Sequence, residues 1–180
     1  MTRLSPKVIR GLKDSFLLPS LIRTEEARLF PEIAFEVAGK STVVKDSRAY
    51  LTSGGKQESW LLLGFRAFSQ QALDTWRGIL TEAEKRLPIY ELTVNERLLD
   101  RLLVGFQKQL LPAGSLIYTP SRKDKLFTEF LSLLHIENRF SAYVYFLDRS
   151  ARVRWRAVGV PPEGAATCVA TILRDHFGRN

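Results

Sequence analysis

Few side chains of this sequence are of the types that carry enzyme chemistry. Its 180 residues include one cysteine, Cys168, and two histidines, His135 and His176. A metal site needs several donor side chains at matched spacing, and the two histidines lie on different predicted helices with no cysteine or carboxylate pattern around them. No complete P-loop, HExxH, GxSxG or GxGxxG string occurs. The sequence therefore predicts no metal site, no cofactor and no catalytic residue.

Arginines form a dense group of charged side chains in the segment RVRWRAVG. The period-two alternation of a strand separates three arginines from three apolar residues, namely Arg152, Arg154 and Arg156 from Val153, Trp155 and Ala157. Guanidinium groups in a row could bind phosphate or carboxylate groups in a bidentate manner, which makes Arg152, Arg154, Trp155 and Arg156 candidate partner-binding residues. The alternative is an ordinary edge strand whose charges discourage unwanted pairing and whose Trp155 is buried in the sheet.

Three other polar residues are assigned structural roles. Asp148 begins a predicted turn, where its side chain is expected to bond its own backbone. Cys168 lies among Ala, Val and Ile in a predicted helix and is expected to be a small core residue. His135 is placed at the C-terminal end of a helix, where the helix dipole would favour its protonated form.

The composition is that of a basic protein with a substantial core. The net charge is +8 and the pI is about 9.9, so nucleic acid, anionic lipid or an acidic protein surface would be attracted. Hydrophobic residues make up 45% of the chain, which is ample for one domain. No apolar run approaches the roughly 18 residues of a membrane helix. The single cysteine excludes an internal disulfide, which favours an internal compartment.

The first 30 residues are predicted to form a basic arm. Its basic residues face one acidic residue within the first 24 positions, with Arg3, Lys7, Arg10, Lys13 and Arg23 against Asp14. Apolar residues recur every four positions at Leu4, Val8, Leu12 and Phe16, which permits an amphipathic helix. Such a segment is typical of mitochondrial targeting, and the alternative is a basic tail that packs on a neighbour or stays frayed. Peripheral contact with an anionic membrane is expected through this arm.

Residues 31–180 are predicted to form an α/β domain. The first half reads as a hairpin over Ile33–Val44, a buried strand beginning at Trp60, a helix with Leu73, Trp76 and Leu80 on its apolar stripe, and a strand over Ile89–Val94. A strand, helix and strand in this order cross over right-handed and give parallel neighbours.

The second half of the domain is predicted to add helices and a second hairpin. A helix over 96–110, an extended piece over Ser115–Thr119 and a helix opened by Pro120 come first. A strand over Tyr143–Leu147 and a return strand over 152–158 form the hairpin. A last helix begins at Pro161, with a packing side of Ala166, Val169, Ala170, Leu173 and Phe177. The result is a thioredoxin-like mixed sheet flanked by helices, with a C-terminal hairpin and a terminal helix.

The redox position of such a fold holds no thiol in this chain. A thioredoxin-type protein carries its cysteines in the turn between the buried strand and the following helix. Here the turn and helix start hold Phe68, Ser69, Gln70 and Gln71. Because only a thiolate is the nucleophile of thiol exchange, these residues predict a degenerate site and a protein that is not an enzyme.

One string of residues is similar to a known family. YVYFLDRSARVRWRAVG, preceded by LLHIEN, resembles the C-terminal signature of the mitochondrial ATP synthase assembly factors called ATPase complex subunit 10. The matching positions are Asp148, Arg154, Trp155 and Gly159. FPEIAFEVAGKS resembles the opening hairpin of peroxiredoxin-like thioredoxin folds, and LLLGFRAFSQQALDTW resembles the family's strand and cysteine-free helix start. The resemblance extends over roughly residues 29–177.

The resemblance implies a function without catalysis. It implies a peripheral protein on the matrix side of the mitochondrial inner membrane, which holds the membrane subunit a (subunit 6) of the Fo sector until that subunit joins the ring. A variant of this hypothesis is a permanent accessory subunit of the ATP synthase or of a respiratory-chain complex. A hypothesis of another class is an RNA-binding component of the mitochondrial ribosome, since phosphate contacts dominate the affinity of basic proteins for RNA.

Overall fold

The computed structural model describes residues 9–11, 15–40, 42–65, 69–96, 112–120 and 125–178. These residues form one nine-stranded mixed sheet flanked by helices, in the strand order β1-β2-β9-β8-β5-β6-β7-β3-β4. The strands are β1 (Ile9–Gly11), β2 (Ser15–Leu17), β3 (Phe35–Val37), β4 (Val43–Val44), β5 (Ser59–Gly64), β6 (Ile89–Val94), β7 (Leu116–Tyr118), β8 (Tyr143–Leu147) and β9 (Val153–Val158). The helices are α1 (Ser47–Leu51), α2 (Gln70–Ala83), α3 (Lys125–Leu133) and α4 (Ala165–Phe177).

The predicted strand-helix-strand unit forms the centre of the sheet. β5 pairs in parallel with β6 and antiparallel with β8, and every residue of β5 is buried. A strand that is apolar on both faces must be covered on both faces, because neither can be left to water. The mixed α/β class, the hairpin β3–β4 and the hairpin β8–β9 are confirmed.

Two apolar cores lie on opposite faces of the sheet. One core contains Leu51 of α1 and Phe130 of α3, and the other contains residues of α2 and α4. The second core includes three tryptophans in a chain of edge-to-face contacts. The ring centres are 5.8 Å apart for Trp60 and Trp155, and 6.1 Å apart for Trp76 and Trp155. Aromatic pairs at this spacing add to the stabilisation from buried area.

The described part of the basic arm packs on a neighbouring strand, as the alternative prediction had it, and does not form the helix that its pattern permitted. Where the pattern permitted an amphipathic helix, residues 9–11 and 15–17 are strands, and β2 pairs antiparallel with both β1 and β9. The backbone of β9 needs hydrogen-bond partners on that side, and burial of Leu17 in the second core favours the pairing. Leu4, Val8 and Leu12 lie outside the described residues.

The terminal helix begins later than predicted, and its buried side is different. Gly164 has a φ of +82°, a left-handed conformation that keeps the chain out of the helix until Ala165. The predicted packing residues Ala166 and Ala170 are exposed, as is Phe177. The buried residues of α4 are Ala165, Val169, Ile172 and Leu173.

Two other predicted helices lie wholly or partly outside the described residues. The helix predicted over 96–110 lies almost wholly outside the described residues, as do residues 121–124 of the helix predicted from Pro120. Its remainder is α3, with Phe130 buried. Among the described helices, none is long and apolar enough to cross a membrane.

Candidate functional site

The turn that would hold redox cysteines leads into a helix start that is held by hydrogen bonds. Phe68 lies outside the described residues, and Ser69 is buried at the N-cap position of α2. Gln70 Nε2 donates to Asp74 Oδ1 and to Glu91 Oε1, both at 3.2 Å. Gln71 is exposed and its side chain faces solvent at the helix start. The amide of Gln70 therefore ties α2 to β6 at the place where a redox protein would hold a thiolate.

The buried carboxylate of Glu91 is also neutralised within this network. Arg77 forms ion pairs with Glu91 and, at 2.7 Å, with Asp74. The buried carboxylate has both a cation and an amide donor as partners, and these compensate for its loss of water. Such a carboxylate has a structural role and is not prepared for catalysis. The network supports the packing of α2 on the sheet.

The predicted residues come together mainly where the N-terminal arm runs alongside β9. Residues 15–30, called the bound arm below, run along the edge of β9 and form backbone hydrogen bonds with it. Leu18 N donates to Arg156 O at 3.1 Å, and Ile22 N donates to Arg154 O at 2.7 Å. Val153 N donates to Arg28 O at 2.8 Å, and just before β9 Phe30 N donates to Ala151 O at 2.7 Å. β9 is thus not an edge strand over this length, which removes the reason that the edge-strand alternative gave for its arginines.

Two of the three arginines hold the bound arm. Arg152 Nη1 donates to Ala27 O at 3.1 Å, and Arg154 Nε donates to Ile22 O at 2.8 Å. Arg154 Nη1 also lies 3.4 Å from Asp148 Oδ2. These contacts give the two guanidinium groups partners within the chain.

Trp155 is fully buried in the second core. Its Nε1 donates to Leu18 O at 2.7 Å, so the indole also fastens the bound arm. Of the two readings that the sequence left open for Trp155, the structure has the buried one.

A bulge in the hairpin divides the predicted face of β9. The register between β8 and β9 shifts at Phe146 and Leu147, so that Val153 joins the first core while Trp155 joins the second. Strict alternation would have placed both on one face. Beyond the bulge Arg156 is opposite Tyr145, on the face of the sheet that carries α3.

Arg156 borders a pocket of about 360 Å³ between the bound arm and the C-terminal end of α3. Its side chain is half-buried, with the guanidinium 5.3 Å from the centre of the Phe16 ring. In the described part of the chain this guanidinium has neither an ion pair nor a hydrogen bond. Burial lowers the pKa of Arg156. The pocket lining is Leu18, Ile22, Glu26, Arg28, Leu133, Leu134, His135, Tyr145, Val153 and Arg156.

His135 lines the same pocket and is the second residue after the end of α3. Its backbone φ is +52°, which ends the helix. His135 is largely exposed, but its partial burial lowers its pKa, the charges of Arg156 and Arg28 lower the pKa further, and Glu137 opposes them. The expectation that the helix dipole favours the protonated form was wrong, because burial and two nearby cations outweigh the dipole. No signal in the sequence brings His135, Arg28 and Arg156 together, since they are far apart along the chain.

The remaining predicted residues have structural roles. Asp148 Oδ1 accepts hydrogen bonds from Ser150 N and Arg152 N, both at 3.0 Å, which confirms its turn role. Cys168 is half-buried, burial raises the pKa of its thiol, and its Sγ donates to Leu18 O at 3.5 Å. His176 Nε2 lies 3.4 Å from the buried Glu58 carboxylate. Within the described residues, no group of three or more His, Cys, Asp or Glu side chains is placed to hold a metal ion.

Comparison with known proteins gives a family and a fold. The model of the ATP10 protein family matches residues 15–171. No curated protein matches the chain. A DsbF homologue from Corynebacterium diphtheriae is similar over 97% of this chain and 98% of its own, at 16% identity and a TM-score of 0.50. A thiol:disulfide interchange protein of the thioredoxin family from Chlorobium tepidum TLS covers 81% of this chain and 96% of its own, at 12% identity and a TM-score of 0.44. The DsbF likeness supports the thioredoxin-like fold and nothing beyond it.

Proposed function

Because this chain belongs to the ATP10 protein family of ATP synthase assembly factors, we propose that it assists assembly of the membrane sector as a non-catalytic binding protein. In its finer form, the proposal makes the chain a chaperone for subunit a (subunit 6) of Fo. It would act as a peripheral protein on the matrix side of the mitochondrial inner membrane. The observation that carries the proposal is the family match over residues 15–171.

The helix start of α2 supports the non-catalytic part. Thiol chemistry on this fold needs a thiolate there, and Ser69, Gln70 and Gln71 cannot supply one. Gln70 is engaged with Asp74 and Glu91 instead. The thiol of Cys168 is on α4, and its raised pKa disfavours the reactive thiolate.

The contacts of β9 narrow the proposed partner surface. Arg152 and Arg154 are engaged by the bound arm, and Trp155 is buried. Arg156 keeps a guanidinium that has no ion pair in the described residues. We therefore place the partner-binding role on Arg156 and the rim of its pocket.

The experiment that tests the function is separation of native complexes from gently solubilised mitochondria of a cell that expresses the chain. Crosslinking and mass spectrometry would then identify its neighbours. A small pool of the chain bound to unassembled Fo subunit supports the chaperone proposal. Stoichiometric residence in a mature complex would instead make it an accessory subunit, and full assembly of Fo after depletion would contradict both the chaperone role and the assembly role.

A variant pair tests the surface. Arg156→Glu should reduce the crosslinked partner, because charge reversal repels an acidic group at the pocket. Arg174→Glu is the matched control, since Arg174 is an exposed arginine on α4. Equal loss of partner in both variants would show that net charge, not the pocket, governs binding.

A further inference from the structure

The pocket beside Arg156 is partly apolar, and within the described residues the guanidinium of Arg156 has no ion pair and no hydrogen bond. A guanidinium that loses water on burial costs free energy unless a hydrogen-bonded anion replaces that water. The Phe16 ring makes a cation-π contact with the guanidinium at 5.3 Å. The ring is not a strong hydrogen-bond acceptor for the guanidinium N–H groups. The negative end of the α3 dipole, near Leu133 and Leu134, offsets part of the charge. Neither contact satisfies the planar fork of donors.

The other charged groups around the pocket set the charge of a suitable ligand. Arg28 and Arg156 are cationic, Glu26 lines the same pocket, and the lowered pKa of His135 favours its neutral imidazole. Within the lining, two cations and one carboxylate leave an excess of one positive charge, and Glu137 outside the lining reduces the positive charge further. Glu137 acts on Arg156 and His135 from outside the lining. A singly charged anion therefore matches the site better than a doubly charged phosphate.

The rest of the lining is apolar and sets the shape of the ligand. Leu18 and Ile22 of the bound arm and Leu133 of α3 lie around the charged group, and Val153 of β9 closes the lining. A volume of about 360 Å³ is at the small end of ligand sites, which suits a short chain or one residue. Tyr145 adds no free donor, since its hydroxyl donates to Leu134 O at 3.0 Å.

We propose that this pocket binds a carboxylate that bears a short apolar group, with the carboxylate on Arg156 and the apolar group against Leu18, Ile22 and Leu133. A planar carboxylate accepts two parallel hydrogen bonds from one guanidinium, which explains the use of arginine at this position. The carboxylate comes either from a free small acid or from the C-terminus of a peptide. As the ligand class of the partner surface, the inference rests on the proposed function, but its test uses the purified chain alone.

The test is titration calorimetry of the purified full chain with defined probes. Sodium hexanoate should bind to the wild-type chain, and hexanol and inorganic phosphate should bind to it at least about tenfold more weakly. Hexanoate should also bind at least about tenfold more weakly to the Arg156→Gln variant. Arg174→Gln should leave hexanoate binding unchanged. A tripeptide with an apolar last residue, used with a free and with an amidated C-terminus, separates the sources. Binding of the free form alone assigns the peptide, and binding of hexanoate alone assigns the small acid.

A second readout separates ligand binding from a structural role of Arg156. Bound hexanoate should raise the pKa of His135, measured by NMR, because its negative charge offsets Arg28 and Arg156. If Arg156→Gln fails to fold, Arg156→Lys keeps the charge but loses the planar fork, and it should still weaken hexanoate binding. The proposal is overturned if the wild-type chain binds neither carboxylate probe, if phosphate competes equally, or if both Arg156 variants bind as the wild type does. Such a failure leaves the assembly role to its own experiment in mitochondria.

Discussion

Arg152, Arg154 and Arg156 lie two residues apart along β9, and their surroundings give the same side chain different partners. Arg152 donates to the carbonyl of Ala27, and Arg154 to that of Ile22. Arg156 meets an aromatic ring and a pocket. The arginines have different partners because of the bulge and the path of the bound arm. The local alternation of residue types predicts neither of these features. Side-chain chemistry is local in the sequence, but the partner of a side chain is not.

His135 should titrate below its ordinary pKa of about 6.5, because burial and the charges of Arg28 and Arg156 disfavour its protonated form. Its contribution to stability is therefore lost as the pH falls below about 6.5, where the unfolded chain takes up the proton more readily. NMR titration of the imidazole checks this, with His176→Gln used to assign the two signals. Arg156→Gln should raise the pKa of His135, and Arg174→Gln should not. A pKa at or above the ordinary value would contradict the placement of these cations.

Trp155→Ala should destabilise the fold by about 3 to 5 kcal/mol, since it leaves a large cavity among Trp60, Trp76 and Leu17. It also removes the donor to Leu18 O. Urea denaturation measures the free energy of unfolding. The control is Val160→Ala at an exposed position, where the change should stay within about 0.5 kcal/mol. Similar values for both variants would show that Trp155 is not part of the core.

Elements with strong periodicity were predictable from the sequence, and short elements were not. β5, β6 and α2 show clear patterns because one long run of residues must satisfy one environment. α1 has five residues, too few for a period, and its one signal is Asp46, whose carboxylate accepts from Ala49 N at 2.9 Å. The strand β2 pairs with β9, more than a hundred residues away, whereas the local pattern only permitted a helix there. The pocket was beyond prediction for the same reason.

Arg154→Ala should loosen the bound arm without unfolding the sheet. The variant loses the bond to Ile22 O and the ion pair with Asp148, while the backbone hydrogen bonds of β9 to β8 remain. Hydrogen exchange at the amides of Leu18 and Ile22 should accelerate by about tenfold, which corresponds to a local loss of about 1.4 kcal/mol. Amides in β5 should keep their protection. Arg174→Ala serves as the control, and unchanged exchange at Leu18 and Ile22 in Arg154→Ala would mean that the guanidinium does not hold the arm.

At the scale of the whole molecule, the stability of the fold does not depend on the start of α2. The two cores hold the sheet together through β5, α2, α3 and α4, and none of them needs a thiol at the start of α2. A thioredoxin-like fold can therefore persist after its redox position changes, and similarity of fold says little about chemistry. Family and fold were within reach of the sequence because they depend on many residues, whereas a ligand depends on a few.

The chain as a whole should show no thiol chemistry. Cys168 is half-buried and its pKa is raised, so its thiolate is scarce at neutral pH. We expect neither disulfide reductase nor peroxidase turnover, in insulin reduction and peroxide consumption assays with dithiothreitol as reductant. Cys168→Ser should behave as the wild type does. Turnover that is lost in Cys168→Ser would overturn this prediction and, with it, the non-catalytic role.

The net charge of +8 should make the purified chain bind RNA at low salt and release it near physiological salt. Non-specific binding of this kind comes from counterion release, so the logarithm of the affinity falls linearly with the logarithm of the salt concentration. At about 0.15 M salt the screening length is about 8 Å, and contacts between scattered exposed charges lose most of their strength.

Filter binding of a mixed-sequence RNA and of heparin, across a salt series, measures the salt dependence of the affinity for each ligand. Parallel loss of the two ligands is expected of a basic protein without an RNA site. Retention of RNA alone at physiological salt would instead favour the ribosomal hypothesis, because it requires contacts with bases or with a fixed RNA shape that charge alone does not provide.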